Sequence, residues 1–168
     1  MTSARIGVIL AGGRSLRFGQ DKATCLYQGK SFLSLAKDLL QRLNCETIHI
    51  LGRPEGIEDE RPFSGPGQAL SNFLRKADYS KTYIVLSVDM PLLSKVCIDH
   101  LLNHALSAYF DQSFFPCIFD RPRPLTENYY RMRDILDYYA SESIVCPTEW
   151  QGQLANINTQ KDYKKICQ

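Results

Sequence analysis

Ile6-Gly-Val-Ile-Leu10 runs straight into Ala11-Gly-Gly-Arg-Ser-Leu-Arg-Phe-Gly-Gln-Asp-Lys22, and this junction governs how the rest of the chain is read. The first five residues are mostly apolar and end at small residues, as a strand buried on both faces does. Gly12 and Gly13 lack a Cβ, so the backbone can turn through positive φ there and lay its N–H groups against a ligand. Arg14, Arg17 and Lys22 follow within reach of a group carrying several negative charges. An arginine fork holds phosphate oxygens in pairs, whereas a lysine ammonium acts as a mobile point charge. Together these features point to a phosphorylated ligand. Taken singly, a surface turn with solvated cations accounts for the same residues.

Neither of the two commonest nucleotide loops fits. The only Gly-Lys-Ser, at Gly29-Lys30-Ser31, lacks the earlier glycine that a P-loop requires. A dinucleotide fingerprint needs spaced glycines opening a helix, but here the glycines are adjacent and Gly19 is the only later one in the loop.

Outward from the junction, strand and helix patterns alternate. Phe32, Leu35, Ala36, Leu39, Leu40 and Leu43 set a helical stripe over residues 31–43, and residues 47–51 read as a strand. A polar, proline-bearing loop over 52–67 leads to a helix at 68–76 and a buried strand at 82–88. Ser94 can cap a helix reaching about residue 108, and strands are expected at 113–119 and, after a Pro-Arg-Pro turn, at 125–130. A helix at 132–140, a short strand at 143–145 and a closing helix at 159–166 complete the pattern. This rhythm predicts one α/β domain over residues 1–168, a three-layer sandwich whose mostly parallel sheet is covered on both faces. In such sheets ligands sit at the carboxyl ends of the strands. The glycine loop after Leu10 and the carboxylate of Asp89 after Val88 then share one rim.

Asp89 is the best candidate metal ligand. A magnesium ion bound to phosphates needs only one or two protein oxygens, and Asn156 or Asn158 can complete the set. Asp89 also suits a plain turn before Met90-Pro91, and Asn158 or Thr159 suits a helix N-cap.

A net charge of +2 without a run of Lys or Arg gives no field for nucleic acid. The apolar runs are strand-sized, far below the roughly 20 residues that span a bilayer. The N-terminus enters a strand and then glycines before any cleavage pattern, so a cytoplasmic location is expected. The six cysteines are scattered with no Cys-x-x-Cys pair, which predicts reduced, mostly buried thiols. His100 and His104 are four apart on a predicted helix but have no evident third ligand, and are assigned no chemistry.

Three ordered segments carry a resemblance. Residues from Leu10 to Ala23 resemble the opening motif of the MobA family, the molybdenum cofactor guanylyltransferases. Tyr83-Ile-Val-Leu-Ser-Val-Asp-Met-Pro91 resembles that family's strand ending in Asp-x-Pro, and Leu154-Ala-Asn-Ile-Asn-Thr159 resembles its late Asn-x-Asn-Thr segment. The resemblance implies the Rossmann-like nucleotide-diphospho-sugar transferase fold and a nucleotidyl transfer: a terminal phosphate of the molybdenum-loaded pterin attacks the α-phosphate of GTP, and pyrophosphate leaves. It implies that Leu10, Ala11, Gly12 and Gly13 hold the nucleotide, that Lys22 and Arg17 screen its phosphates, and that Asp89 with Asn158 holds Mg2+. It also implies Asp59 as an acceptor for guanine or ribose donors, although an exposed acidic loop explains Asp59 equally well. Arg121 and Arg123 are expected near the pterin phosphate. A related branch that transfers CMP usually opens with Leu-Ala-Ala-Gly, so Leu10-Ala-Gly-Gly13 favours GTP over CTP. Transient contacts with a molybdoenzyme or chaperone belong to the same implication.

The chain departs from that pattern in places. Gly65-Pro-Gly-Gln-Ala-Leu70 stands where the family commonly has Gly-Pro-Leu-Ala-Gly, apolar Ile50 and Leu51 stand where a polar residue is often found, and Phe18 replaces Met. Two further readings therefore stand beside the first: transfer to another phosphorylated acceptor such as a sugar or alditol phosphate, and a non-catalytic nucleotide-binding or cofactor-delivery protein.

Overall fold

The computed structural model describes residues 3–13, 18–58, 65–104 and 106–168. Its first strand, β1 (Arg5–Leu10), buries side chains on both faces: Ile9 enters one apolar cluster, Val8 and Leu10 the other. A strand apolar on both faces must be covered on both, and the chain supplies the covers in turn. A short hairpin of β2 (Leu26–Tyr27) and β3 (Lys30–Ser31) is followed by α1 (Phe32–Arg42), β4 (Cys45–Leu51), α2 (Pro66–Leu74) and β5 (Thr82–Ser87). Then come α3 (Lys95–His104), β6 (Ser107–Phe110), β7 (Ser113–Asp120), α4 (Met132–Tyr138), β8 (Glu142–Ile144) and α5 (Gln160–Ile166). Lys22–Thr24 and Thr148–Leu154 form 3-10 turns.

Six strands make one sheet in the order β4-β1-β5-β7-β6-β8. Strands β4, β1 and β5 are mutually parallel and β8 is parallel to β6, while β7 runs antiparallel to both of its neighbours. Ile9, Ile84 and Leu86 share a cluster with Leu39 and Leu40 of α1 and Ile98 and Leu101 of α3. Val8, Leu10 and Val85 share the other with Leu70 and Leu74 of α2 and Ile135 and Leu136 of α4. The result is the expected three-layer sandwich with a mostly parallel sheet. Gly7 permits the tight seat of α1, since a Cβ there would lie 2.7 Å from Leu40 Cδ1.

Several local expectations are corrected. Helix α3 stops at His104 because Ser107–Phe110 forms β6, where Ala108 and Phe110 are buried and Ser107 and Tyr109 only half-buried, a period of two. Residues 125–130 form no strand; Tyr129 N–H donates to Ser71 Oγ at 2.9 Å, which ties this segment to α2. The β2–β3 hairpin was not anticipated, although Gln28 and Gly29 turn it with φ of 49° and 79°, the pair of positive angles a two-residue hairpin turn needs. Cys25, Cys97, Cys117 and Cys146 are buried, Cys45 is half-buried and Cys167 exposed, all as free thiols. Among the described residues no group of three or more His, Cys, Asp or Glu converges on a metal position, and no helix is long and apolar enough to cross a membrane.

Candidate active site

Strands β1 and β5 lie side by side with Leu10 opposite Ser87, and Val88 N–H donates to the Leu10 carbonyl at 3.0 Å. The loops that leave these strands therefore start from one rim. Ala11 N–H donates to the Leu51 carbonyl at 3.0 Å, which adds the end of β4 to that rim. Gly13 has a φ of +130°, and a Cβ there would meet nothing within 4 Å. This position thus demands backbone conformation rather than space.

The turn that follows is held at Asp21. Its carboxylate accepts from Ala23 N–H at 3.0 Å and from Arg53 Nη1 at 2.7 Å, fixing the 3-10 turn from which Lys22 projects. Lys22 Nζ lies 3.3 Å from Asp89 Oδ2 and donates to Asn158 Oδ1 at 2.7 Å, although Lys22 and Asn158 are 136 positions apart. The other Asp89 oxygen accepts from Ser87 Oγ at 2.6 Å, and its main-chain carbonyl accepts from Ile157 N–H at 2.8 Å. The carboxylate is thereby aimed from behind, and the late Asn156-Ile-Asn-Thr159 segment is pinned to the end of β5.

Thr159 caps α5. Its hydroxyl accepts from Asp162 N–H at 3.1 Å, and the Asp162 carboxylate accepts from Thr159 N–H at 2.9 Å and from its hydroxyl at 2.8 Å. The hydroxyl bond, helped by main-chain N–H groups, holds the Asp162 carboxyl below its ordinary range. Gln160 Nε2 reaches back to the Phe18 carbonyl at 2.6 Å, so the closing helix anchors the far side of the glycine loop.

Leu10, Gly12, Asp89, Asn156 and Asn158 line one open cleft of about 570 Å³, together with Asp111, Phe114 and Arg133. Three of the anticipated side chains, Lys22, Asp89 and Asn158, are brought into contact. Asn156 faces the same cleft, while Arg17 and Asp59 lie outside the described residues. The expected role of Arg121 and Arg123 is corrected. Because β7 runs antiparallel, its end at Asp120 pairs with Thr82 at the start of β5, the opposite end of the sheet from Asp89. Arg121 lies there, its N–H donating to the Lys81 carbonyl at 2.8 Å. Arg123 stacks on the Tyr138 ring at 4.6 Å. Reasoning from sequence missed Arg53, Ser87, Asp111 and Arg133; only Ser87 carried a signal, as a polar residue closing an apolar strand before Asp89.

The departures from the family pattern acquire local causes. A Cβ on Gly67 would lie 2.4 Å from the Tyr130 carbonyl oxygen, so a leucine there has no room while the 129–131 segment packs on α2. Ile50 and Leu51 are buried in the sheet, and the first charged side chain beyond that strand end is Arg53, which pairs with Asp21. A second cavity of about 360 Å³ lies between α2 and β4, lined by Phe73, Ala69, Lys76 and His49, whose pKa burial lowers. Among the described residues no ammonium there is shared by two side-chain oxygens, and that sharing, seen at Lys22 with Asp89 and Asn158, selects the cleft. Two acidic or amide oxygens sharing one ammonium is an arrangement able to hold a hard cation and to neutralise phosphate charge.

The model of the MobA-like NTP transferase domain matches residues 7–143. A molybdenum cofactor guanylyltransferase of Xanthomonas euvesicatoria is 39% identical over 67% of this chain, which spans 62% of that protein's length. A probable molybdenum cofactor guanylyltransferase of Bacillus velezensis is 30% identical over 96% of this chain and 94% of its own length. Among solved structures, a nucleotidyl transferase from Methanothermobacter thermautotroptrophicus superposes with a TM-score of 0.68 at 14% identity, covering 98% of this chain and 96% of that one. A Mycobacterium tuberculosis protein in complex with manganese superposes with a TM-score of 0.64 at 11% identity, covering 99% of both chains. With its glycine turn, rim carboxylate and late asparagines gathered at the carboxyl ends of β1 and β5, the chain belongs to the MobA-like NTP transferase family and is a nucleotidyltransferase.

Proposed function

We propose that this protein transfers GMP from GTP to the terminal phosphate of molybdenum-loaded molybdopterin, releasing pyrophosphate. The observation that carries this reading is the meeting of Lys22, Asp89 and Asn158 at the rim beside the diglycine turn. Ala11 N–H is taken by Leu51 and the Leu10 carbonyl by Val88. Main-chain contacts to the base would then come from the Ala11 carbonyl, Gly12 and Gly13, with Leu10 shaping the floor beneath them. Arg17 would act on phosphate and Asp59 on base or ribose.

The donor set fits magnesium. Asp89 Oδ2 and Asn158 Oδ1 aim at one cation, and both are hard oxygen ligands that leave room for phosphate oxygens and water. When bound, the metal would supply positive charge at the phosphates where the reaction develops negative charge. Lys22 would turn from Asp89 onto the phosphates as the nucleotide enters, where its ammonium offsets part of their charge. The acceptor phosphate is largely a dianion at neutral pH, its second pKa lying near about 6. One of its oxygens forms the new bond to the α-phosphorus, the bond to the bridging oxygen breaks, and pyrophosphate leaves with that electron pair. Alignment and charge neutralisation suffice, so no nucleophile-base pair is needed in the chain.

A pyrophosphate-release assay tests the reading, with GTP or CTP, magnesium and a panel of acceptors. Release with GTP and the molybdenum-loaded pterin alone is expected. Release with a sugar or alditol phosphate, a preference for CTP, or tight GTP binding with no release would overturn it.

A further inference from the structure

The wall of the cleft facing the glycine loop has no assigned role. It is built at the β6–β7 turn and the start of α4. Phe114 is 37% exposed there although it is a large apolar ring in the sheet's second residue of β7. The Arg133 guanidinium lies over that ring, 5.4 Å from its centroid, and Tyr109 backs the ring at 6.3 Å. Among the described residues Arg133 forms no ion pair with a carboxylate. The turn carrying Phe114 is anchored, with Asp111 N–H donating to the Ile144 carbonyl at 2.9 Å and Cys146 N–H donating to Asp111 Oδ1 at 3.4 Å. An aromatic face under a guanidinium leaves the edge of the fork directed outward and fixes its plane. Such a fork in the same cleft as Asp89 and Asn158 matches a phosphate presented by the second substrate.

We propose that Arg133 binds the phosphomonoester of the acceptor and that Phe114 is the positioning residue that holds its guanidinium plane. The inference rests on the nucleotidyl transfer argued above and assigns the acceptor half of that site. Arg133 bonds the non-attacking oxygens, leaving the third to reach the α-phosphorus. The partner chemistry required is a dianionic phosphate ester on a group small enough to enter an open cleft of about 570 Å³.

The test measures binding of metal-free molybdopterin by its pterin fluorescence and, in parallel, binding of a fluorescent GTP analogue. Wild type is compared with Arg133→Ala, Arg133→Lys, Phe114→Ala and Phe114→Tyr. The expected result is an acceptor Kd raised at least tenfold in Arg133→Ala and severalfold in Phe114→Ala, with GTP binding unchanged. Arg133→Lys should recover part of the loss and Phe114→Tyr most of it, a rescue that a merely structural role would not show. In turnover, the acceptor KM should rise while the GTP KM stays constant. Equal loss for both ligands, or loss for neither, overturns the assignment. If wild type ignores molybdopterin but releases pyrophosphate with a sugar or alditol phosphate, the proposed acceptor is wrong, and the same variants titrated against the acceptor actually used still decide the role of Arg133. If wild type binds GTP but no phosphorylated acceptor at all, both the acceptor site and the proposed reaction fall.

Discussion

Replacing Lys22 by methionine keeps most of the side chain's length and removes its charge, and the geometry gives the change two opposite effects. The ammonium stands 3.3 Å from Asp89 Oδ2 and 2.7 Å from Asn158 Oδ1, the two oxygens that would ligate the metal. A cation entering without nucleotide must displace it or sit beside it. At the Asp89 distance the Coulomb attraction is about 1 kcal/mol at the dielectric of water and about 5 kcal/mol at an effective value of 20. Since both side chains retain some exposure, 15% and 17%, the net contribution falls toward the low end of that range, about 1 kcal/mol. Removing the ammonium should therefore raise the affinity of the nucleotide-free protein for a divalent cation by about fivefold, the factor that about 1 kcal/mol represents.

Manganese is the convenient probe, because binding quenches its paramagnetic resonance signal. Lys22→Met without nucleotide should bind Mn2+ about fivefold more tightly than wild type. The order should reverse in turnover, where loss of a preorganised cation at the phosphates lowers pyrophosphate release by roughly 100-fold or more. GTP should strengthen Mn2+ binding in wild type more than in the variant, since only wild type has an ammonium to transfer from the metal oxygens to the phosphates. Weaker or unchanged Mn2+ binding in nucleotide-free Lys22→Met would refute the reasoning, because Lys22 would then not be competing for those oxygens.

Other outcomes follow from the same contacts. Asp89→Ala should cut magnesium-dependent release by roughly 1,000-fold while circular dichroism stays native, since the tie from Ile157 uses the main-chain carbonyl at 2.8 Å and survives the substitution; retained activity would remove Asp89 from the site. Gly67→Leu, which restores the commoner family residue, should lower stability in a thermal melt by about 1–3 kcal/mol, because its Cβ lands 2.4 Å from the Tyr130 carbonyl oxygen; an unchanged melt would mean that the 129–131 segment yields freely. Thr159→Ala should cost about 1 kcal/mol by removing the α5 cap. Thr159 also holds the Asp162 carboxyl low, so its contribution is present above the ordinary carboxylate range and lost as pH falls below it. Wild type should thus lose more of its melting temperature than Thr159→Ala between about pH 5 and pH 3, and parallel acid profiles would count against the capping box.

The parts of the fold that were legible in the sequence are those decided locally. The strand running into Gly12 and Gly13, and the apolar run ending at Ser87-Val-Asp89, need nothing beyond side-chain period and glycine freedom to be placed. The β6 strand was hidden because a four-residue alternation, Ser107 to Phe110, is short enough to be absorbed into the preceding helix. The direction of β7 was hidden for a different reason: a two-residue turn at Asp111 and Gln112 reverses the chain, and neither residue is a strong hairpin signal. That reversal moved Arg121 to the far end of the sheet and left Arg133, which no motif marks, in the cleft.

This divides the site in a physically meaningful way. The donor half depends on main-chain shape, and main-chain shape at a tight turn restricts residue identity, so Gly13 with its φ of +130° leaves a trace in the sequence. The proposed acceptor half depends on a long side chain reaching in from another element, and an arginine on any of several loops can do this once the sheet topology is set. A shift from one acceptor to another therefore requires little more than a different cation on the β6–β7 turn or the start of α4, whereas a change of donor chemistry would disturb the rim where Leu10, Leu51, Val88 and Ile157 are joined by main-chain hydrogen bonds. Families built this way should keep the first half legible while the second drifts. On the proposal made for Arg133, the acceptor of this chain is better read from the position of Phe114 and Arg133 than from the motifs that announce the nucleotide.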